Sequence, residues 1–191
     1  RCYSTSLGCP KNRVDTERLL GSLGVALVPV ESPDEAELVF INTCAFIQPA
    51  TEESVRTIAQ AIADIEELPK RPLLAVAGCL VGRYHAEDLA PELPEVDLWL
   101  DNSDLEAGPA MLARKLGLPE PTVPGRILST GPSYAWLKIS DGCRHACSFC
   151  AIPNIRGGHR SHCKDMIVRE ARALLDQGVK ELNLVAQDLT E

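Results

Sequence analysis

The stretch ELVFINTCAF, Glu37 to Phe46, reads as a strand over 37–43 with a cysteine, Cys44, directly past its end. Leu38, Val39, Phe40 and Ile41 form a short unbroken apolar run, the signature of a strand covered on both faces. The same design occurs twice more. CYSTSLG (2–8) runs into Cys9, and LLAVAG (73–78) runs into Cys79. ALVPV (26–30) and VDLWL (96–100) complete five strand candidates. Helix candidates lie between them at 11–23, 33–37, 51–68, 84–91 and 104–116. In TEESVRTIAQAIADIEEL, residues Val55, Ile58, Ala59, Ile62, Ile65 and Leu68 recur at three- and four-residue steps and predict one buried face. Thr51 is the expected cap of that helix, with Glu52 and Glu53 in its first turn. Strands alternating with helices predict an α/β domain over 1–118, a flavodoxin-like parallel sheet with helices on both faces.

Leu118 to Ser133, LPEPTVPGRILSTGPS, holds four prolines and two glycines without periodicity, and 119–133 is expected to be a linker. YAWLKIS (134–140) then predicts a strand, DMIVREARALLDQ (165–177) a helix stopped by Gly178, and ELNLVAQD (181–188) a second strand. Residues 134–191 therefore open a second α/β unit. Between its first strand and its helix lies SDGCRHACSFCAIPNIRGG (140–158), with Cys143, Cys147 and Cys150 spaced C-x3-C-x2-C.

The chain has 191 residues, 45% of them hydrophobic and 24% charged, an ordinary globular composition. No apolar run reaches the roughly 18 residues needed to span a bilayer. Net charge is −8, divided as −9 over 1–133 and +1 over 134–191. An acidic body argues against a polyanionic partner. From Arg144 to Lys164 there are four basic residues and no acid, a loop suited to a small carboxylate-bearing ligand. Eight cysteines are many for this length. A disulfide framework fits poorly with long helical patterns and a proper core, whereas metal or cluster binding in a reducing, cytoplasmic compartment fits well.

In an open α/β sheet, ligands bind beyond the carboxyl ends of the strands. With strand order 2-1-3-4-5, the loops carrying Cys9, Cys44 and Cys79 follow neighbouring strands and would bring three sulfurs into one crevice. A single buried cysteine would be packing only; three in equivalent positions point to a shared site. Zinc would want a fourth protein ligand, and none stands out, because His85 falls inside a helix candidate. An iron–sulfur cluster with three protein ligands and one open iron fits better, and the same holds for Cys143, Cys147 and Cys150. Cys163 and Cys2 are expected to be ordinary thiols.

C-x3-C-x2-C with Phe149 before the last cysteine resembles the radical S-adenosylmethionine enzymes. Together with the upstream trio it resembles their methylthiotransferase family. SLGCPKNRVDTERLLG (6–21), NTCAFI (42–47), AGCL (77–80) and CAIPNIRGGHRS (150–161) resemble the branch that modifies an aspartate of a small-subunit ribosomal protein. The rival within the family is the tRNA adenosine methylthiotransferase branch, which tends instead to have glutamine after the first cysteine, where Pro10 stands. The resemblance implies two 4Fe–4S clusters, one on each trio, with S-adenosylmethionine at the second. It also implies a one-electron reductant and insertion of a methylthio group at an unactivated C–H bond. A nucleic acid would enter only through a further carboxy-terminal module. By the same resemblance Gln187 and Asp188 stand where the superfamily meets the amino end of the cofactor. Arg156, in IRGG, is expected in a flexible loop, free to hold a carboxylate through two hydrogen bonds. Asn12, Asp15 and Glu17 are expected to serve helix-start chemistry, and His145, His159 and His162 to be plain loop residues.

Two features depart from the family. His162 and Cys163 follow Ser161 where Arg-Pro is usual. Only 41 residues follow Cys150, against the roughly 200 or more of a (β/α) barrel, so the barrel is expected to be only begun and full activity absent from this chain alone. The rival from another class is a non-catalytic iron–sulfur electron-transfer protein, against which two open-iron sites argue.

Overall fold

The computed structural model describes residues 1–24 and 27–190. Four parallel strands, β1 (Cys2–Ser6), β2 (Leu38–Thr43), β3 (Leu73–Gly78) and β4 (Leu98–Leu100), lie in the order β1-β2-β3-β4. Every residue of β2 is buried, as its unbroken apolar run requires. Successive side chains alternate between faces. Val39, Ile41, Leu74 and Val76 pack with Ile58, Ala61 and Ile65 of helix α2 (Gln48–Glu66). Leu38, Phe40, Ala75 and Ala77 pack instead with Leu19 and Leu20 of α1 (Pro10–Gly21). Leu112 and Ala113, from a further helix over Gly108–Leu116, complete that second face. Full burial of a large aliphatic or aromatic side chain contributes about 1.5–3 kcal/mol, so these two layers dominate the stability of the sheet.

The expected strand over 26–30 is a single bridge. Its first residue, Ala26, lies outside the described residues. Cys2 donates to the Val28 carbonyl at 2.9 Å, and Val30 donates to the Cys2 carbonyl at 3.2 Å. Pro29, between them, has no N–H to extend a ladder. This segment flanks β1 on the side away from β2, so the order 2-1-3-4-5 survives with its outer strand reduced to a bridge.

Three helix expectations are corrected. α2 starts at Gln48 with Pro49 in its first turn, a position that needs no N–H, so Thr51 lies inside the helix rather than capping it. Its buried face runs through Thr51, Ser54, Ile58, Ala61 and Ile65, while Val55 and Ala59 are exposed. The candidate over 84–91 is two short helices, α3 (Cys79–Tyr84) and α4 (Ala86–Leu89), separated by His85 at φ 61°. The candidate at 104–116 begins only at Gly108, where Pro109 suits the first turn; this helix is α5.

Residues 119–133 contain no helix or strand, yet they are fastened to α1. Arg126 pairs with Glu17 at 2.6 Å, Ser129 donates its amide to Glu17 at 2.9 Å, and Ile127 N–H reaches the Glu17 carbonyl at 3.1 Å. Beyond them, β5 (Tyr134–Lys138) pairs in parallel with the last strand, Glu181–Val185, across a helical crossover. A two-residue antiparallel ladder, β6 (Ser140–Asp141) with β7 (Arg160–Ser161), closes the base of the cysteine loop, and α6 (Ile152–Arg156) follows that loop. The crossover helix is α7 (Lys164–Asp176) and the last strand is β8.

Candidate metal centres and the joint between them

Cys9 caps α1, Cys44 follows β2, and Cys79 opens α3 immediately after β3. Three adjacent parallel strands thus deliver one cysteine each to the same end of the sheet. Gly8, at φ 84°, turns the chain into Cys9, and its bare Cα lies against Cys44. A β-carbon there would come within 2.6 Å of Cys44 Cβ and 2.7 Å of Cys44 Sγ. The Cys79 thiol donates to Asn12 Oδ1 at 3.6 Å. Burial pushes its pKa up, against the opposing charge of Arg156, and Cys44 and Cys9 act on it in the same upward sense. The three thiols therefore share one microenvironment.

Polar side chains lock these loops. Asn12 Nδ2 donates to the carbonyls of Leu7 at 2.9 Å and Thr43 at 2.8 Å, tying the ends of β1 and β2. Thr43 Oγ1 donates to the Ala77 carbonyl at 2.6 Å and accepts from Leu80 N–H at 3.2 Å. Ser54, from α2, accepts from Cys44 N–H and donates to the Cys44 carbonyl, at 3.0 and 2.7 Å. Each bond is worth about 1 kcal/mol net, and each would cost more if left half-made in the interior.

The second trio is built differently. Cys143, Cys147 and Cys150 lie in a segment without helix or strand; Cys143 and Cys150 are half-buried and Cys147 is exposed. Cys150 N–H bonds the Cys147 carbonyl at 3.0 Å, and Cys143 N–H bonds the Gly157 carbonyl at 3.1 Å. Phe149 is 88% exposed. His145, more than the plain loop residue expected, pairs through Nε2 with Asp188 Oδ2 at 2.7 Å, and ligand atoms of Cys143, His145 and Asp188 all lie within 4.8 Å of one another. Among the described residues neither amide atom of Gln187 has a hydrogen-bond partner, although both are buried. Such a group is costly unless a ligand satisfies it.

Between the trios lies a buried group of four charges. Lys138 pairs with Asp15 and, at 2.7 Å, with Asp141. Arg156 pairs with Asp15 and Asp141, each at 3.1 Å, and donates to Asn12 Oδ1. All four side chains are at least nine-tenths buried, and the two cations balance the two carboxylates. Burial alone would raise the Asp141 pKa, but Lys138 and Arg156 overcome it and hold it at about 2. Burial opposes the Arg156 charge in turn, and Asp15, Cys79 and Asp141 more than restore it, raising its pKa. Arg156 is thus not in a flexible loop. It ends α6, and its guanidinium is engaged by carboxylates of this chain. Asn12, Asp15 and Glu17 are buried members of the joint between the two halves, not helix-start groups. Lys138, inside the otherwise apolar YAWLKIS, was the readable signal, because a lysine in a buried strand demands an acid.

A second, outer set extends the joint. Arg18 pairs with Glu170 and donates to the Lys138 carbonyl at 3.1 Å, and Arg126 reaches Glu170 at 2.8 Å. His162 Nε2 lies 3.3 Å from Arg18, and burial together with the charges of Arg18 and Lys138 lowers its pKa. Cys163 is exposed, and burial pushes the Cys2 thiol up to about 11, which leaves it unreactive.

The three thiols of each trio are the donor set that soft iron–sulfur clusters take, with His145 and Asp188 standing beside Cys143 at the second, so the residues present fit such a group. The family described as Uncharacterized protein family UPF0004 matches residues 1–101, which include Cys9, Cys44 and Cys79. Curated relatives named Ribosomal protein uS12 methylthiotransferase RimO are 70% identical over 188 residues in Nitratidesulfovibrio vulgaris (98% of this chain, 44% of the relative) and 58% identical over 191 residues in Lawsonia intracellularis (100% and 43%). One from Aquifex aeolicus is 48% identical over 188 residues (97% and 40%). The chain spans less than half the length of each of these relatives. Among the described residues no helix is long and apolar enough to cross a membrane.

Proposed function

The chain belongs to the UPF0004 family, and from that premise we propose that it is part of a radical S-adenosylmethionine methylthiotransferase acting on ribosomal protein uS12. The target is an aspartate β-carbon of that small-subunit protein, the setting is the cytoplasm, and a one-electron reductant drives the reaction. The observation that carries this reading is the convergence of Cys9, Cys44 and Cys79 at the ends of three neighbouring strands, in a chain that also holds C-x3-C-x2-C at Cys143, Cys147 and Cys150.

The six cysteines are the ligands of two 4Fe–4S clusters, and when bound these supply, with S-adenosylmethionine, the radical and sulfur-transfer chemistry. The residues of the chain do the rest. Burial of Cys44 and Cys79 keeps water from the upstream ligands, and Asn12, Thr43 and Ser54 hold their loops at fixed spacing. The loop of Cys143 to Cys150 stays open to a cofactor of small size. Gln187, with both amide atoms unpaired, offers one donor and one acceptor to the amino-acid end of S-adenosylmethionine, and Phe149 offers an apolar face beside Cys150. Residues 1–118 form the unit of the upstream site, 119–133 the connection, and 134–191 the start of the radical unit.

Anaerobic reconstitution tests this. About eight irons per chain are expected, falling to about four when either trio is replaced by alanine. Zinc in place of iron, or disulfides within a trio, would overturn the reading. Release of 5′-deoxyadenosine by a longer form of the protein would separate the enzyme from a simple electron carrier.

A further inference from the structure

Asn12 Oδ1 is shared. On one side it accepts from the Cys79 thiol at 3.6 Å, and on the other from the guanidinium of Arg156. These residues come from opposite halves of the chain. The helix that carries Arg156 is docked on the helix that carries Cys79. Gly82, in α3, lies so close to Ile155 in α6 that a β-carbon there would overlap the Ile155 carbonyl, and Asn102 donates to that carbonyl at 3.0 Å. A guanidinium that is 3% exposed is therefore held one shared acceptor away from a thiol of the upstream trio, with little water to screen it.

We propose that Arg156 is a positioning residue of the upstream centre: supplied by the downstream half, it pins the Asn12 amide oxygen on its own guanidinium, beside Cys79, and its buried charge sets the electrostatic potential at that trio. The inference rests on the reading of Cys9, Cys44 and Cys79 as cluster ligands. It adds that the downstream half completes the upstream site, and that the two-and-two charge balance of Asp15, Lys138, Asp141 and Arg156 is the quantity being tuned. The same group leads to the other trio, since Asp141 Oδ1 accepts from Gly142 N–H at 2.9 Å, next to Cys143. A change of charge in the joint is therefore felt at Cys79, the thiol that shares Asn12 Oδ1 with Arg156.

The test uses the chain with Cys143, Cys147 and Cys150 all replaced by alanine and reconstituted anaerobically, so that any cluster sits on the upstream trio. Its midpoint potential is read by redox titration followed by electron paramagnetic resonance. Arg156→Gln removes a buried positive charge and is expected to lower the potential, with the reduced-to-oxidised ratio at the parent midpoint falling about tenfold, or about 59 mV for one electron. Asp15→Asn removes a negative charge from the same group and is expected to move the potential the other way. Arg156→Lys, which keeps the charge, is expected to stay nearer the parent. Opposite shifts establish the role. Unchanged potentials, or shifts of one sign in both charge variants, overturn it. If Arg156→Gln does not fold, a raised potential in Asp15→Asn with Arg156→Lys near the parent establishes the role, and an unchanged or lowered potential in Asp15→Asn overturns it. A parent that takes up no iron sinks the underlying ligand reading instead, which the iron assay records separately.

Discussion

The two cysteine trios use the same donor atoms and obtain them in opposite ways. Cys9, Cys44 and Cys79 are far apart in sequence and meet only because β1, β2 and β3 are neighbours. Cys143, Cys147 and Cys150 fall within eight residues and need no sheet to bring them together. The first site is a product of tertiary structure and is mostly buried; the second is a product of spacing and is mostly open. Anything that loosens the α/β sheet should therefore strike the first and spare the second. What joins them is a charged interface, and damage there should reach both.

The largest effect is expected at that interface. Lys138→Met leaves Asp15 and Asp141 with one cation between them, and breaking a buried ionic group costs about 3–5 kcal/mol. Urea unfolding followed by far-ultraviolet circular dichroism should show the loss, and limited proteolysis should open the 119–133 segment. Next is Gly8→Ala, which forces a side chain into φ 84° and against Cys44, at a cost of about 1–3 kcal/mol. Iron bound by the upstream trio should fall while iron bound by the downstream trio stays near the parent value, as reconstitution in the two alanine backgrounds would read. In the metal-free chain, iodoacetamide should alkylate Cys147 roughly 100-fold faster than Cys44 or Cys79, since reaction needs thiolate and, for buried groups, a local opening. Peptide mapping over time would measure it; equal rates would contradict the contrast between the sites.

The smallest effect is on pH dependence. His162 has a lowered pKa in the folded protein, so its neutral form is the one that folding favours. Above its unfolded value of 6.5 the two states bind protons alike. As pH falls below that, the unfolded chain takes the proton first and stability declines, levelling off below the folded pKa. The decline should be about 1 kcal/mol or less and should vanish in His162→Gln, as urea midpoints at pH 7.5 and 5.5 would register.

The α/β sheet was legible in the sequence because its signal is local. The apolar run of Leu38 to Ile41 marks a strand covered on both faces, and Cys9, Cys44 and Cys79 stand at strand ends; given the flavodoxin-like strand order, those positions point to one crevice. Helix starts were less legible: Pro49 fixes the start of α2 more strongly than Thr51 does, and α5 begins only at Gly108, with Pro109 in its first turn. The joint was not legible from α1. Asn12, Asp15 and Glu17 have the composition of an exposed helix start, and only their partners at Lys138, Arg156 and Arg126 reveal burial. Those partners lie 109 to 144 positions away in the chain, where no periodicity reports on them.

The strap of 119–133 looks interchangeable by composition, an obvious place to splice one relative onto another. The fastening of Glu17 to Arg126 and Ser129, and of Asp15 to Lys138 and Arg156, makes it a poor one. A hybrid cut there would inherit half of a matched set of charges. Recombinants should survive only where both parents carry the same acids on the first helix and the same bases beyond the cut.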